Sequence, residues 1–302
     1  MTEVWAWLSD PFQYAFMQRA LLSLVMVSAV SAVIGAFVVQ KGLAFIGDAL
    51  AHASFAGVAT AFVLGGSIYL GAIVAAVATA LAIGFVGRRS RVSLDTAIGI
   101  IFVGAFALGI VIISRQSNYT VDLFSFVFGN VLGVGRHDLL LIGGMTAGII
   151  AAVAVFYKEL LFYAYDPDMA AAAGIPVRFL HYGLLTLIAI AAVVALKAVG
   201  IVLVVAMLVT PAATASLLVR RLHHIMALGA LLGLISSVSG LYISYYASVA
   251  SGAAIVLVAT LLFILALIFS PWRGLLVSLR RPAAFYEAEE APAGSAARPD
   301  SA

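Results

Sequence analysis

Apolar residues run along this chain in long blocks, broken by short polar clusters such as QKG (40–42), GRRSR (87–91), SRQSN (114–118) and RRLHH (220–224). Blocks of about 20 apolar residues match helices that cross a bilayer, whereas barrel strands need about 10 with strict alternation. The pattern predicts nine spans, at 17–39, 43–65, 69–87, 95–114, 138–157, 180–197, 198–218, 225–246 and 253–272. Polar residues interrupt the second and the seventh.

Two apolar segments do not fit a simple span. The stretch from Tyr119 to Gly135 contains Asp122 and Asn130 and is too short to cross, so it reads as an interfacial or re-entrant piece. The second runs from Lys158 to Tyr182. Within it Asp166 and Pro167 form a cap and first-turn pair that opens a short helix, and Gly174-Ile175-Pro176 closes it. A short helix outside the membrane suits docking to another protein.

Composition turns the pattern into a class. Hydrophobic residues make up 65% of the 302 positions and charged residues 10%, far from the balance of a soluble domain. The fold expected is therefore all-α and polytopic, with about 8–9 transmembrane helices and a short cytoplasmic helix. Residues 1–281 form the membrane domain, with 159–179 as its docking segment. Residues 282–302 form a polar, proline-bearing tail expected to be disordered.

The net charge of +3 matters less than its placement. With the N-terminus outside, the inner loops collect Lys41, Arg88, Arg89, Arg91, Lys158, Arg178, Arg220, Arg221, Arg273, Arg280 and Arg281. The outer side keeps Arg19, Arg115, Arg136 and Lys197. For an odd number of spans this bias places the N-terminus outside and the C-terminus in the cytoplasm. The opening residues lack a basic region followed by a short apolar core and small-residue cleavage site, so no cleaved leader is expected.

Asp48 and His52 are the polar residues that stand out. At i and i+4 they share one helix face, and they lie roughly 7 and 13 Å into the second span at 1.5 Å per residue. Placing a carboxylate there costs about 2.5–3.5 kcal/mol, so an intramembrane pair calls for a function. One reading makes them oxygen and nitrogen ligands for Mn²⁺, Fe²⁺ or Zn²⁺. In the other they bond each other or a neighbouring helix and serve packing. Two ligands are also fewer than such ions take, and a second copy of the chain would double them.

Thr210 and Pro211 break the pattern of the seventh span. They line a pathway or simply mark a proline kink. Asp95 and Thr96 read as the N-cap of the fourth span. His137, His181, His223 and His224 fall at span ends. Glycines four apart (Gly129/Gly133, Gly144/Gly148, Gly229/Gly233) read as packing within one bundle.

Several classes are excluded. There is no cysteine, hence no disulfide, thiolate ligand or iron–sulfur cluster. No P-loop, H-E-x-x-H or G-x-S-x-G occurs, and no basic, aromatic-interleaved patch for nucleic acid. The chain therefore cannot hydrolyse a nucleotide by a P-loop.

Seven stretches carry a resemblance: QRALL (18–22), FVVQKGLAFIGDALAHASFAGVA (37–59), DTAIGIIF (95–102), FGNVLGV (128–134), DPDMAAAAGIPV (166–177), VGIVLVVAMLVTPAATA (199–215) and SGLYISYY (239–246). In this order, over roughly residues 10–275, the chain resembles the permease subunit of bacterial ABC-type manganese/zinc importers. The resemblance implies a non-enzymatic, pore-forming subunit of the inner membrane that works as a homodimer. It implies two cytoplasmic P-loop ATPase partners, an extracytoplasmic metal-binding protein, and Mn²⁺ or Zn²⁺ as substrate with no permanently bound cofactor. Asp48 and His52 fall on that family's metal pair. Asp166, Pro167, Asp168, Met169, Ala170, Gly174, Ile175 and Pro176 fall on its coupling helix, which meets the ATPase. Many relatives read Asp-x-Pro-Ser-Gly where this chain has Ser248 to Gly252, so no role passes to Ser248. The competing expectation is a gradient-driven cation carrier or channel that needs no ATPase.

Overall fold

The computed structural model describes residues 10–115 and 131–270, and every regular element among them is helical. The helices are α1 (Ala15–Gln40), α2 (Ile46–Val63), α3 (Ile68–Arg89), α4 (Leu94–Ser114), α5 (Arg136–Val155), α6 (Tyr157–Tyr165), α7 (Pro167–Ala172), α8 (Val177–Val199), α9 (Ile201–Leu218), α10 (Leu222–Ala247) and α11 (Ser251–Phe269). Eight of them, all but α6, α7 and α9, are long and apolar enough to cross a membrane. In α9 the apolar run is shorter, Leu203–Leu218. The chain is a multi-pass helical membrane protein.

Helices α1 and α8 form the centre. On one flank α2, α3 and α4 pack together, on the other α9, α10 and α11, and α5 closes against α1 and α8. The outer helices keep large apolar side chains exposed, among them Leu108, Leu140 and Leu257. On a surface facing lipid such side chains need no protein partner.

With no hydrophobic force between helices in lipid, close packing depends on small residues, and α2 shows how. A Cβ on Gly57 would meet the Gly71 carbonyl oxygen of α3 at 1.9 Å, and one on Gly47 would meet Leu208 of α9 at 2.6 Å. Gly109 of α4 in turn lies on Ala56, where a Cβ would come within 2.9 Å of backbone. Glycine thus lets α3 and α4 approach α2 backbone to backbone, and lets the Leu208 side chain of α9 rest on its axis. The Gly229/Gly233 pair faces α1 and α9, in line with packing inside the bundle, while Gly144 and Gly148 face open space. Gly129 lies outside the described residues.

Helix ends differ from the sequence pattern in four places. Ser93, not Asp95, caps α4: its hydroxyl accepts from Thr96 N at 3.2 Å, and Asp95 falls in the first turn. The short hydroxyl directly before the helix reaches the open N–H groups that Asp95, already helical, cannot. Helix α8 begins at Val177, straight after Pro176, and so includes residues assigned to the docking segment. Thr210 and Pro211 do not interrupt α9, which runs through them. Pro211 costs one N–H but is buried in the packing against Gly233, 3.7 Å from its built Cβ, so neighbours hold the helix together. Finally, the docking segment holds two helices, α6 and α7, where one was expected. Of the segment from Tyr119 to Gly135, residues 119–130, with Asp122 and Asn130, lie outside the described residues; its end forms a 3₁₀ turn at Val131–Gly133. The tail 282–302 also lies outside them.

Candidate functional site

Helix α2 is sealed along most of its length. From Ile46 to Ala56 every residue is buried except Asp48 and His52, whose side chains stay 37% and 29% exposed. The i, i+4 spacing brings His52 Nδ1 within 3.1 Å of Asp48 Oδ1 and 3.0 Å of the Asp48 backbone oxygen. Both neighbours of Nδ1 are acceptors, so Nδ1 carries the proton and donates. In the neutral ring Nε2 then keeps its lone pair. The bond that fixes the ring therefore leaves the other nitrogen able to bind a metal, as a carboxylate commonly does for a ligating histidine.

Phe102 and Phe106 of α4 wall the pair. Their ring centroids lie 6.1 and 5.6 Å from that of His52, the second edge-on. Phe106 also meets Phe55 of α2 at 5.6 Å. These rings keep the surroundings apolar, which strengthens any electrostatic contact the pair makes. Among the described residues no group of three or more His, Asp or Glu side chains is placed to hold a metal. The described residues of one chain therefore offer two side-chain donors at this point, Asp48 and His52.

The second candidate region is the α6–α7 hairpin. Asp166 caps α7, its Oδ1 accepting from Asp168 N at 3.1 Å and Met169 N at 2.9 Å, with Pro167 in the first turn. Gly174 takes φ 80°, a left-handed value at which other residues are strained, and Pro176 precedes α8. Ala170 is fully buried and anchors α7 to the body, and Pro167 and Ile175 are half-buried. Asp166, Asp168, Met169, Gly174 and Pro176 are exposed, Met169 at 59%. Thr210 is half-buried, and its carbonyl accepts from Thr214 Oγ1 at 2.7 Å.

Sequence reasoning missed three groups of residues here. Phe102 and Phe106 were readable as an i, i+4 aromatic pair, but nothing local places them beside His52. Helix α6 had a signal, since Leu160, Tyr163 and Ala164 form the buried i, i+3, i+4 stripe of an amphipathic helix. Among the four end-of-span histidines, His223 and His224 are exposed, as is His137. His181 instead joins packed structure: its Nδ1 lies 2.8 Å from the Tyr163 hydroxyl.

Comparison with known proteins adds a wider frame. The family model of the ABC 3 transport family matches residues 13–270. The chain is 48% identical over 263 residues to the manganese transport system membrane protein MntC of Halalkalibacterium halodurans, covering 87% of this chain and 90% of that one. It is 37% identical over 273 residues to the chelated iron transport system membrane protein YfeD of Yersinia pestis, covering 89% and 91%. Among solved structures, PsaBC from Streptococcus pneumoniae in complex with Fab superimposes with a TM-score of 0.82 at 36% identity, over 92% of this chain and 100% of that one.

Proposed function

This chain belongs to the ABC 3 transport family, and on that footing we propose that it is the membrane permease subunit of an ATP-driven importer of a divalent transition metal. Manganese is the favoured ion and zinc the next. Relatives named for manganese at 48% identity support the first choice, and the oxygen-plus-imidazole donor set suits Mn²⁺ without excluding Zn²⁺. The ion arrives from an extracytoplasmic binding protein and leaves into the cytoplasm. ATP is hydrolysed on separate cytoplasmic subunits, since this chain has no P-loop.

The observation that carries the reading is the half-open polar pair in a stretch, Ile46 to Ala56, whose other residues are all buried. An ionisable pair facing lipid is costly, so its exposed side belongs to a partner surface or a water-filled path. A second copy facing the first across this surface supplies another Asp48 and His52. The four side chains then offer two carboxylates and two Nε2 atoms to one ion. Mn²⁺ completes its larger shell with water or carbonyl oxygen. Thr210 and Pro211 are the residues of α9 assigned to the pathway. Helix α7, with Asp166 to Pro176, is assigned to the ATPase groove, and, with α9 counted as a ninth crossing, the charge bias of the loops assigns the N-terminus to the outside.

The test is uptake of radioactive manganese into proteoliposomes that hold the permease with its ATPase, supplied with the binding protein. Uptake should require ATP and fall to background in Asp48→Ala and His52→Ala. Full uptake in both variants sinks the site, and uptake by the permease alone without ATP favours a gradient-driven carrier. Because the chain has no cysteine, Val103→Cys on exposed α4, one residue from Phe102, reports the second copy directly. A disulfide between two permease chains is expected, and its absence overturns this arrangement.

A further inference from the structure

Tyr163 is an anomaly among the residues of the cytoplasmic hairpin. It lies in α6, three positions before the cap of α7, yet it is 5% exposed. Three contacts hold it there. Its carbonyl accepts from Lys41 Nζ at 3.3 Å, the same ammonium lies 4.2 Å from its ring centroid, and its hydroxyl is 2.8 Å from His181 Nδ1 of α8. The imidazole in turn lies against α3, where a Cβ on Gly84 would come within 3.2 Å of Nε2. One side chain of the hairpin thus touches the end of α1, the start of α8 and, through His181, α3.

Lys41 occupies the short turn that leads into the metal-bearing helix. It is the C-cap residue of α1 and stands seven positions before Asp48. The turn between is stiff. Gly42 takes φ 68°, Leu43 N donates to Val38 O at 2.9 Å, and Ile46 N donates to Leu43 O at 3.0 Å. Leu43 is buried, which pins the turn to the core. Burial holds the Lys41 ammonium below the ordinary lysine range. A loop lysine free to extend into water would avoid that penalty. Here the charge is met by a carbonyl and an aromatic face instead, contacts that gain strength as water is removed.

At the other end the hairpin is short. Tyr165 closes α6 and Pro167 opens α7, with Asp166 alone between them. A displacement of α7 is therefore passed to α6 with little slack.

From this juxtaposition we propose that Lys41 and Tyr163 form the contact that passes movement of the α6–α7 hairpin to α2, and so to Asp48 and His52. They are positioning residues and do not touch the ion. The inference rests on the reading of α7 as the ATPase-docking helix. Two routes leave Tyr163, one through Lys41 to α2 and one through its hydroxyl to α8, and substitutions separate them. Lys41→Met removes the first and keeps the second. Tyr163→Phe removes the second and keeps the ring and carbonyl that hold Lys41.

The experiment measures manganese uptake and ATP hydrolysis in the same proteoliposomes, with the permease, its ATPase and the binding protein present. Ions moved per ATP is independent of how much protein folds. In Lys41→Met this ratio should fall about tenfold while ATP hydrolysis per complex stays within about twofold, a loss of coupling rather than of activity. Lys41→Arg should recover most of the ratio, and Tyr163→Phe should keep it within about twofold of wild type. An unchanged ratio in Lys41→Met overturns the proposal, as does a parallel fall of uptake and hydrolysis. A Met169→Cys cross-link to a cysteine in the ATPase groove distinguishes the two layers. If the link forms and the ratio is unchanged, only the Lys41 route fails; if no link forms, the docking reading fails with it.

Discussion

Polar groups inside the apolar helices are treated in two opposite ways. Around α9 and α10 they are hydroxyls, buried and closed off. Thr214 donates to the carbonyl of Thr210, Ser236 donates to Leu232 O at 2.8 Å, and Ser237 meets Ser28 of α1 at 3.2 Å. Each is sealed because one nearby acceptor satisfies it. In α2 the pair Asp48 and His52 also bond each other, yet they stay open on one side while the residues around them are buried. A hydroxyl spends its bonding capacity within the bundle. A carboxylate and a neutral imidazole in contact each retain a further donor, an oxygen and a ring nitrogen, and these are the atoms the proposed metal site would use.

The sharpest break in this comparison comes from alanine at each site. Asp48→Ala and His52→Ala should lower manganese uptake about a hundredfold with protein level unchanged, since the second ligand alone cannot hold the ion. Uptake above a tenth of wild type in both would put α2 in the same class as α10. The next largest effect concerns the scaffold. Gly57→Leu should cost about 3 kcal/mol or more, because the new side chain starts 1.9 Å from the Gly71 oxygen. A thermal melt in detergent that matches wild type would show that the α2–α3 crossing has room to spare. Asp166→Ala removes two N-cap bonds and should cost α7 about 1 kcal/mol. Faster amide exchange confined to α7, with weaker ATPase recovery in pull-downs, is the expected reading. Smallest is Ser237→Ala, about 0.6–1 kcal/mol of stability with uptake unaltered. A loss of uptake there would make the hydroxyls functional and dissolve the contrast.

Much of this was legible along the chain because lipid imposes simple rules. Run length predicts nine spans and eight helices are long and apolar enough to cross, the one at 198–218 holding a shorter apolar run in α9; the Asp48/His52 face follows from a spacing of four. The short helix after Asp166 follows from its cap and from Gly174. What could not be read depends on contacts between distant segments. The aromatic wall of His52 exists because Gly109 lets α4 lie on Ala56, more than fifty positions away in sequence. Tyr163, His181 and Lys41 sit in three separate elements, and each alone looks like an ordinary residue at a membrane edge. Pro211 was read as a break because its chemistry removes an N–H, but the close approach of α10 at Gly229 and Gly233 keeps the helix whole.

Gly200, at φ 79°, is the single residue between α8 and α9. Successive Cα atoms are about 3.8 Å apart, so the two helix ends beside it cannot separate by more than one residue's reach. The pair is a jackknife with Gly200 as its pin, free to change angle but never to part there. Any gap between the two blades must therefore open from the ends far from Gly200, and a passage beside Gly200 itself must lie between other helices.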